Sequence, residues 1–176
     1  MISKEEVLKL IKETSKYSHS LIVSYIMCKF AIKLEGDSET WEIVGLLHDL
    51  DIDQVEDNMS KHGIKANEFL KGKLSEDCLY AIKNYDYRTG FKPKSTLDKA
   101  LIIADSLASI IEGIKEMPLS IERIEAEIER VSVQEPWLRD NLIMCKEIGI
   151  SKSELLRLTI NSLNMSWEGR NQREIV

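Results

Sequence analysis

The stretch "VGLLHDLDID", residues 44–53, runs an apolar segment into one histidine and three aspartates. A helix that buries Val44, Leu46 and Leu47 has no ordinary place for His48 and Asp49 at its end. Either the chain has left the core there, or something inside holds the polar groups. Four and seven positions before His48 stand Val44 and Trp41, so at helical spacing His48 faces inward with them. Gly45, three positions back, leaves room for another backbone or a ligand.

The same contradiction recurs twice. Ile22, Val23 and Ile26 follow His19 at helical spacing, which puts His19 on an apolar face. Asp105 sits inside "ALIIADSLASII", with Leu101 and Ile102 one turn before it and Ala108 one turn after. An ionised carboxylate there is costly unless it is paired or coordinated, and its own helix offers no cation between Lys99 and Lys115. Taken singly, each residue has a plain reading: a hydrogen-bonded core histidine, a helix-end cap at Asp49, an arginine partner for Asp105. Taken together, His19, His48, Asp49 and Asp105 sharing one divalent cation would give all this burial a single cause. The chain has only three histidines, and two fall within this pattern.

The rest of the chain is punctuated as helices. Ser3-x-x-Glu6, Ser95-x-x-Asp98 and Ser151-x-x-Glu154 read as helix starts. A helix from about 18 to 34 should stop at Gly36, and the next should begin near Asp37 or Ser38. "DLDIDQVEDN" reads as an acidic loop and "NYDYRTGFKPKS" as another. Pro136 suits the first turn of a late helix. Alternating strand patterns are scarce. The expectation is an all-α, single-domain bundle of about eight or nine helices. Residues 18–115 would form the metal-binding core, and residues 116–176 would supply helices packing on it, within one domain spanning 1–176.

Composition narrows the function. The chain of 176 residues is 43% hydrophobic with a formal net charge of −6, and it shows no basic stripe of the kind a duplex nucleic-acid binder carries. Cys28, Cys78 and Cys145 are far apart and form no CxxC pair, which fits a reduced setting. No run approaches the roughly 20 apolar residues of a membrane span. The amphipathic start "MISKEEVLKLIKE" lacks the apolar core of a signal peptide. A cytoplasmic protein without duplex nucleic-acid or membrane partners is expected.

The order His19…His48-Asp49…Asp105, with the wording "LLHDLDID", "KHGIKANEFL", "AIKNYDYRTG" and "ALIIADSLASII" around it, resembles the HD-domain superfamily of metal-dependent phosphohydrolases. In particular it looks like a bacterial group whose central motif reads much like LLHDID. The resemblance implies a helical bundle in which His19, His48, Asp49 and Asp105 hold a metal. It implies hydrolysis of a small phosphorylated compound, a nucleotide for preference, by metal-activated water. Asp49 would orient or deprotonate that water. Asp51 would serve as proton donor or as a partner behind the ligands, while Asp53 reads more simply as solvated. Mixed imidazole and carboxylate donors suit manganese, iron, cobalt, nickel or zinc.

The sequence departs from many such proteins at one point. A second metal would need two further histidines. His62 matches the first, but Tyr85 stands where the second would fall, so one ion per chain is expected. Asp86 beside it is a conceivable substitute. His62 would then touch an outer metal or phosphate, or simply be a partly exposed histidine at a helix start. Lys61 and Arg88 are candidate phosphate contacts, although "RTGFKPK" also reads as a solvated loop. An alternative function is a catalytically weak HD domain serving as a nucleotide- or metal-binding regulatory module. A paired-iron oxygenase is disfavoured by Tyr85.

Overall fold

A computed structural model describes residues 2–55 and 58–171. Met1, residues 56–57 of the acidic stretch and residues 172–176 of the expected domain lie outside it. The α-helices in chain order are α1 Lys4–Ile11, α2 Tyr17–Lys33, α3 Ser38–Leu47, α4 Ile52–Val55, α5 Ile64–Leu70, α6 Glu76–Asn84, α7 Thr96–Glu112, α8 Ile121–Ser132, α9 Pro136–Ile143 and α10 Lys152–Asn171. Short 3-10 turns occupy Met59–Lys61, Tyr87–Thr89 and Met144–Ile148. The fold is all-α, with no strand among the described residues and nine helices longer than the four-residue α4. No described helix is long and apolar enough to cross a membrane.

Most starts follow the expected chemistry. Ser3 accepts from the Glu6 amide, and at α7 Ser95 and Asp98 cap each other reciprocally. Ser151 and Glu154 do the same at α10. Two elements differ from expectation. Part of the acidic loop winds into α4, because the turn after His48 continues with Ile52 and Val55, and Val55 is buried. The stop after α2 is made by Glu35, which takes the left-handed conformation (φ 57°), while the Gly36 amide bonds back to the Ala31 carbonyl at 2.8 Å. Gly36 is needed for another reason: a Cβ there would lie 3.0 Å from the Trp41 ring.

Helix α7 is the axis of the molecule. It is buried nearly all round, and Ala100, Ala104 and Ala108 let neighbouring helices approach closely. It packs against α2, α6, α8 and α9, and α10 lies across α2. A single cluster of buried apolar residues runs from Ile2 to Leu163, with Phe30, Leu47, Ile82, Leu101 and Leu107 among its fully enclosed members. Against this background an inward imidazole or carboxylate must find its partners within the bundle.

Candidate metal centre

Three helices bring the polar groups together. His19 lies in the first turn of α2, His48 caps the C-terminus of α3, Asp49 follows in the turn, and Asp105 lies mid-way along α7. Helices α2 and α3 meet at backbone distance. A Cβ on Gly45 would lie 2.8 Å from Ser24 Cα, so the open side of Gly45 is filled by backbone. The carbonyl of Gly45 accepts from Nδ1 of His48 at 2.8 Å. That bond settles the ring's orientation and leaves Nε2 pointing at the cluster.

Nε2 of His48 is wholly buried and has no hydrogen-bond partner among the described residues. It stands 3.5 Å from Asp105 Oδ1 and 3.4 Å from Asp49 Oδ1. His19 Nε2 donates to Asp105 Oδ1 at 3.0 Å and lies 3.9 Å from Asp49 Oδ2. His19, His48 and Asp105 thus converge as one group that could hold a metal ion. Asp49 stands beside them, its two oxygens divided between the two imidazoles. A buried bare nitrogen between two carboxylates is unfavourable alone, and a cation among them removes the conflict. The residues present therefore fit a divalent metal, and the imidazole and carboxylate donors are those that transition metals accept.

The electrostatics agree. Burial pulls the pKa of His19 down, but the hydrogen bond with Asp105, the Glu112 carboxylate close to Nδ1, and the charges of Asp105 and Asp49 carry it to about 10. Burial would raise both carboxylates. Instead, contact with His19 and His48 brings Asp105 to about 2, and the imidazoles of His48, His62 and His19 around it hold Asp49 far below the usual carboxylate range. Glu112, seven residues after Asp105 on the same face of α7, places Oε2 3.2 Å from Nδ1 of His19, at ion-pair distance but without hydrogen-bond alignment. The i, i+7 spacing carries this signal in the sequence, but only the crossing of α2 over α7 shows what Glu112 meets.

Behind Asp49 lies a second layer. His62 is buried, not partly exposed at a helix start. The cause is Gly63, whose left-handed conformation (φ 78°) turns the chain so closely against α6 that a Cβ would meet the Ile82 carbonyl at 2.3 Å. Nδ1 of His62 is 2.7 Å from Asp51 Oδ1, and Nε2 is 3.0 Å from Asp49 Oδ1. Burial lowers the pKa of His62, but its bonds to Asp49 and Asp51 raise it to about 9. Asp51 is itself buried and also accepts from the amides of Gly63 (3.2 Å) and Ala66 (2.9 Å), so its oxygens are engaged behind the centre. The Tyr85 hydroxyl donates to Asp49 Oδ1 at 2.6 Å and contacts His62 Nε2. Burial, then the charges of Asp49 and Asp105, push the Tyr85 pKa well above its ordinary value. Asp53 is not merely solvated, since it accepts from both the amide and the hydroxyl of Ser15 ahead of α2.

A cleft of about 400 Å³ opens over the centre, with His19, Asp49, His62, Tyr85 and Asp105 in its lining. Arg88 lines it too, but its guanidinium is spread over both oxygens of Asp86 at 2.9 and 3.0 Å from Nε. Asp86 is committed in the same way. Lys61 is exposed and outside the lining. The lining cation that sequence reasoning missed is Lys16, half-buried just before α2 and in no ion pair among the described residues. Nothing in its local sequence separates it from a solvated lysine.

Comparison with known proteins yields no match among curated proteins. The family model of the HD domain matches residues 17–110, more than half of the chain, and spans His19, His48, Asp49 and Asp105. The chain belongs to the HD-domain family, whose members are generally metal-dependent phosphohydrolases.

Proposed function

We propose that this protein is a metal-dependent phosphohydrolase acting on a small phosphorylated compound, a nucleotide, in the cleft over His19, His48, Asp49 and Asp105. The single observation that carries the reading is the enclosed, unpartnered Nε2 of His48, aimed at Asp105 and Asp49 on the floor of a cleft. One divalent ion of manganese, iron, cobalt, nickel or zinc per chain, held by those four residues, would supply Lewis acidity toward a phosphoryl oxygen and a lower pKa for water. The protein's own groups divide the remaining work. Asp49 Oδ2 carries no hydrogen bond among the described residues and can accept the proton of the attacking water. Asp49 Oδ1 is held by Tyr85 and His62, which fixes the direction of the carboxylate. Asp51 positions His62 instead of meeting substrate. Lys16 lines the cleft, is in no ion pair among the described residues, and is the better placed group for phosphate charge. Arg88 would first have to leave Asp86, and Lys61 lies outside the lining.

The Tyr85 hydroxyl on Asp49 favours one second reading, a nucleotide- or metal-binding regulatory module with little turnover. A screen of the metal-loaded protein against nucleoside mono-, di- and triphosphates and cyclic dinucleotides separates the two. The hydrolase reading expects metal-dependent phosphate release that falls about 100-fold or more in Asp49→Ala. It also expects His48→Ala and Asp105→Ala to lose the ion by elemental analysis. Tight binding without phosphate release would support the module, and unchanged metal content in both variants would refute the ligand assignment.

A further inference from the structure

The cleft has a wall that neither the metal ligands nor their supports use. Two aromatic rings stand at it, and both are left open by the fold. Tyr87, 67% exposed, lies on the 3-10 turn after α6, and Trp137, 37% exposed, lies in the first turn of α9. Their ring centroids are 6.2 Å apart with planes inclined at 43°. Both line the cleft that has His19, Asp49 and Asp105 at its floor.

Their backbones are firmly held although their rings are open. Asp86 caps the turn by accepting from the Arg88 amide at 2.8 Å and clamps the Arg88 side chain, whose guanidinium lies 5.9 Å from the Tyr87 ring. Trp137 sits between Pro136, which sets the first turn of α9, and Leu138, which is buried. Large apolar rings left in water beside a polar, cation-seeking floor are what a ligand with one flat apolar part and one anionic part would cover. Polar groups border the rings as well. Asn141 lines the same wall, with its amide nitrogen held by Ser106 Oγ at 3.0 Å, and Glu135 lines it just ahead of α9. The volume, about 400 Å³, is at the lower end of small-molecule sites. It suits a single nucleotide better than a dinucleotide.

We propose that Tyr87 and Trp137 form a base-binding wall, and that the substrate is a nucleoside 5′-monophosphate whose base packs on these rings while its phosphate faces the metal centre. This rests on the hydrolase reading of the same cleft and adds what the rest of the substrate is. The base lies on the face of Trp137, and exposed Tyr87 turns to cover its edge. Tyr87 lies within residues 17–110 and Trp137 outside them, so the wall joins the matched HD segment to a C-terminal helix.

The test is calorimetric binding to the full, manganese-loaded chain. The probes are the non-hydrolysable methylenephosphonate analogues of adenosine and uridine 5′-monophosphate, and the matching analogue of ribose 5-phosphate. Stacking on aromatic side chains predicts that at least one nucleotide analogue binds about tenfold or more tightly than the ribose analogue. Trp137→Ala and Tyr87→Ala should each remove most of that gap while leaving the ribose analogue within about twofold, and Trp137→Phe should retain it. Equal binding of base-bearing and base-free probes to the wild type would overturn the proposal, as would variants that weaken both alike. The hydrolase reading fails separately, by absence of phosphate release from the natural monophosphates, and the base-dependent gap is decided whichever way that falls.

Discussion

Tyr85 shows most clearly how one residue sets the character of the centre. Its hydroxyl donates to Asp49 Oδ1 and touches His62, in the place where the family resemblance puts a second imidazole. A hydroxyl so placed keeps Asp49 Oδ1 engaged and leaves His62 as the lone imidazole on that side. A second ion would need more protein donors than that to compete with water. Tyr85→His should therefore raise the metal content from about one toward two per chain, with ions about 3.5–4 Å apart as in two-metal sites. Adding His62→Ala should return it to one. Two tightly bound ions in the unchanged protein, by titration and elemental analysis, would overturn the one-ion reading. The residues differ in how far the sequence betrayed them. His19, His48 and Asp105 were readable because a polar group at helical spacing among apolar ones contradicts itself. Tyr85 was readable only as a missing ligand, and its bond to Asp49 depends on α6 meeting the turn after α3. Glu112 and Lys16 look like ordinary surface charges until the helix crossings bring them to His19 and to the cleft.

Among the elements, the contact between α2 and α3 governs the distance between the two imidazoles. Gly45, three residues before His48, turns its open side onto the backbone of Ser24, five residues after His19, and this contact has no slack. In an open helix, Gly→Ala adds up to about 1 kcal/mol of stability through propensity. Here a Cβ 2.8 Å from backbone forces the helices apart, and overpacking of this kind costs about 1–3 kcal/mol. Gly45→Ala should therefore lower stability in urea titrations and also weaken metal binding, because α2 carries His19 and α3 carries His48. A stabilised variant with unchanged affinity would show that the contact is not limiting. Helix starts were legible because Ser, Asp and Pro act within a single turn, as at Ser95, Asp37 and Pro136. Endings and short turns were less so. Glu35 takes the left-handed position beside an available Gly36, since Gly36 is required against Trp41, and α4 forms because Val55 finds the core.

Across the whole molecule, the continuous buried cluster from Ile2 to Leu163 leads us to propose that the C-terminal helices and the metal-binding core unfold together. The pH dependence should then divide cleanly between metal-free and metal-loaded protein. Without metal, His19 at about 10 and His62 at about 9 lie above their unfolded value near 6.5. The stability they confer is complete below about pH 6.5 and is lost as pH rises through 9 to 10. Asp105, at about 2, adds stability above its unfolded value near 3.8 and loses it only as pH falls through about 2. With metal, His19 must give up its proton to act as a ligand, so affinity rises with pH, and with it the stabilisation that binding confers. The gap between the urea midpoints of loaded and stripped protein should widen from pH 6 to 9. A gap that narrows would remove His19 from the ligand set.

The placement of Asp105 and Glu112 on α7 also fixes the order of events as the chain is made. Both histidines leave the ribosome well before α7 does, yet His19 meets Glu112 and shares Asp105 with His48 only across that helix. An early, partly made chain holds scattered donors whose ends are costly to bring together, and offers an ion no better grip than any loose pair of histidines. Metal capture at this centre would thus follow the docking of the central helix, and a loaded centre would mark a chain whose core is already assembled.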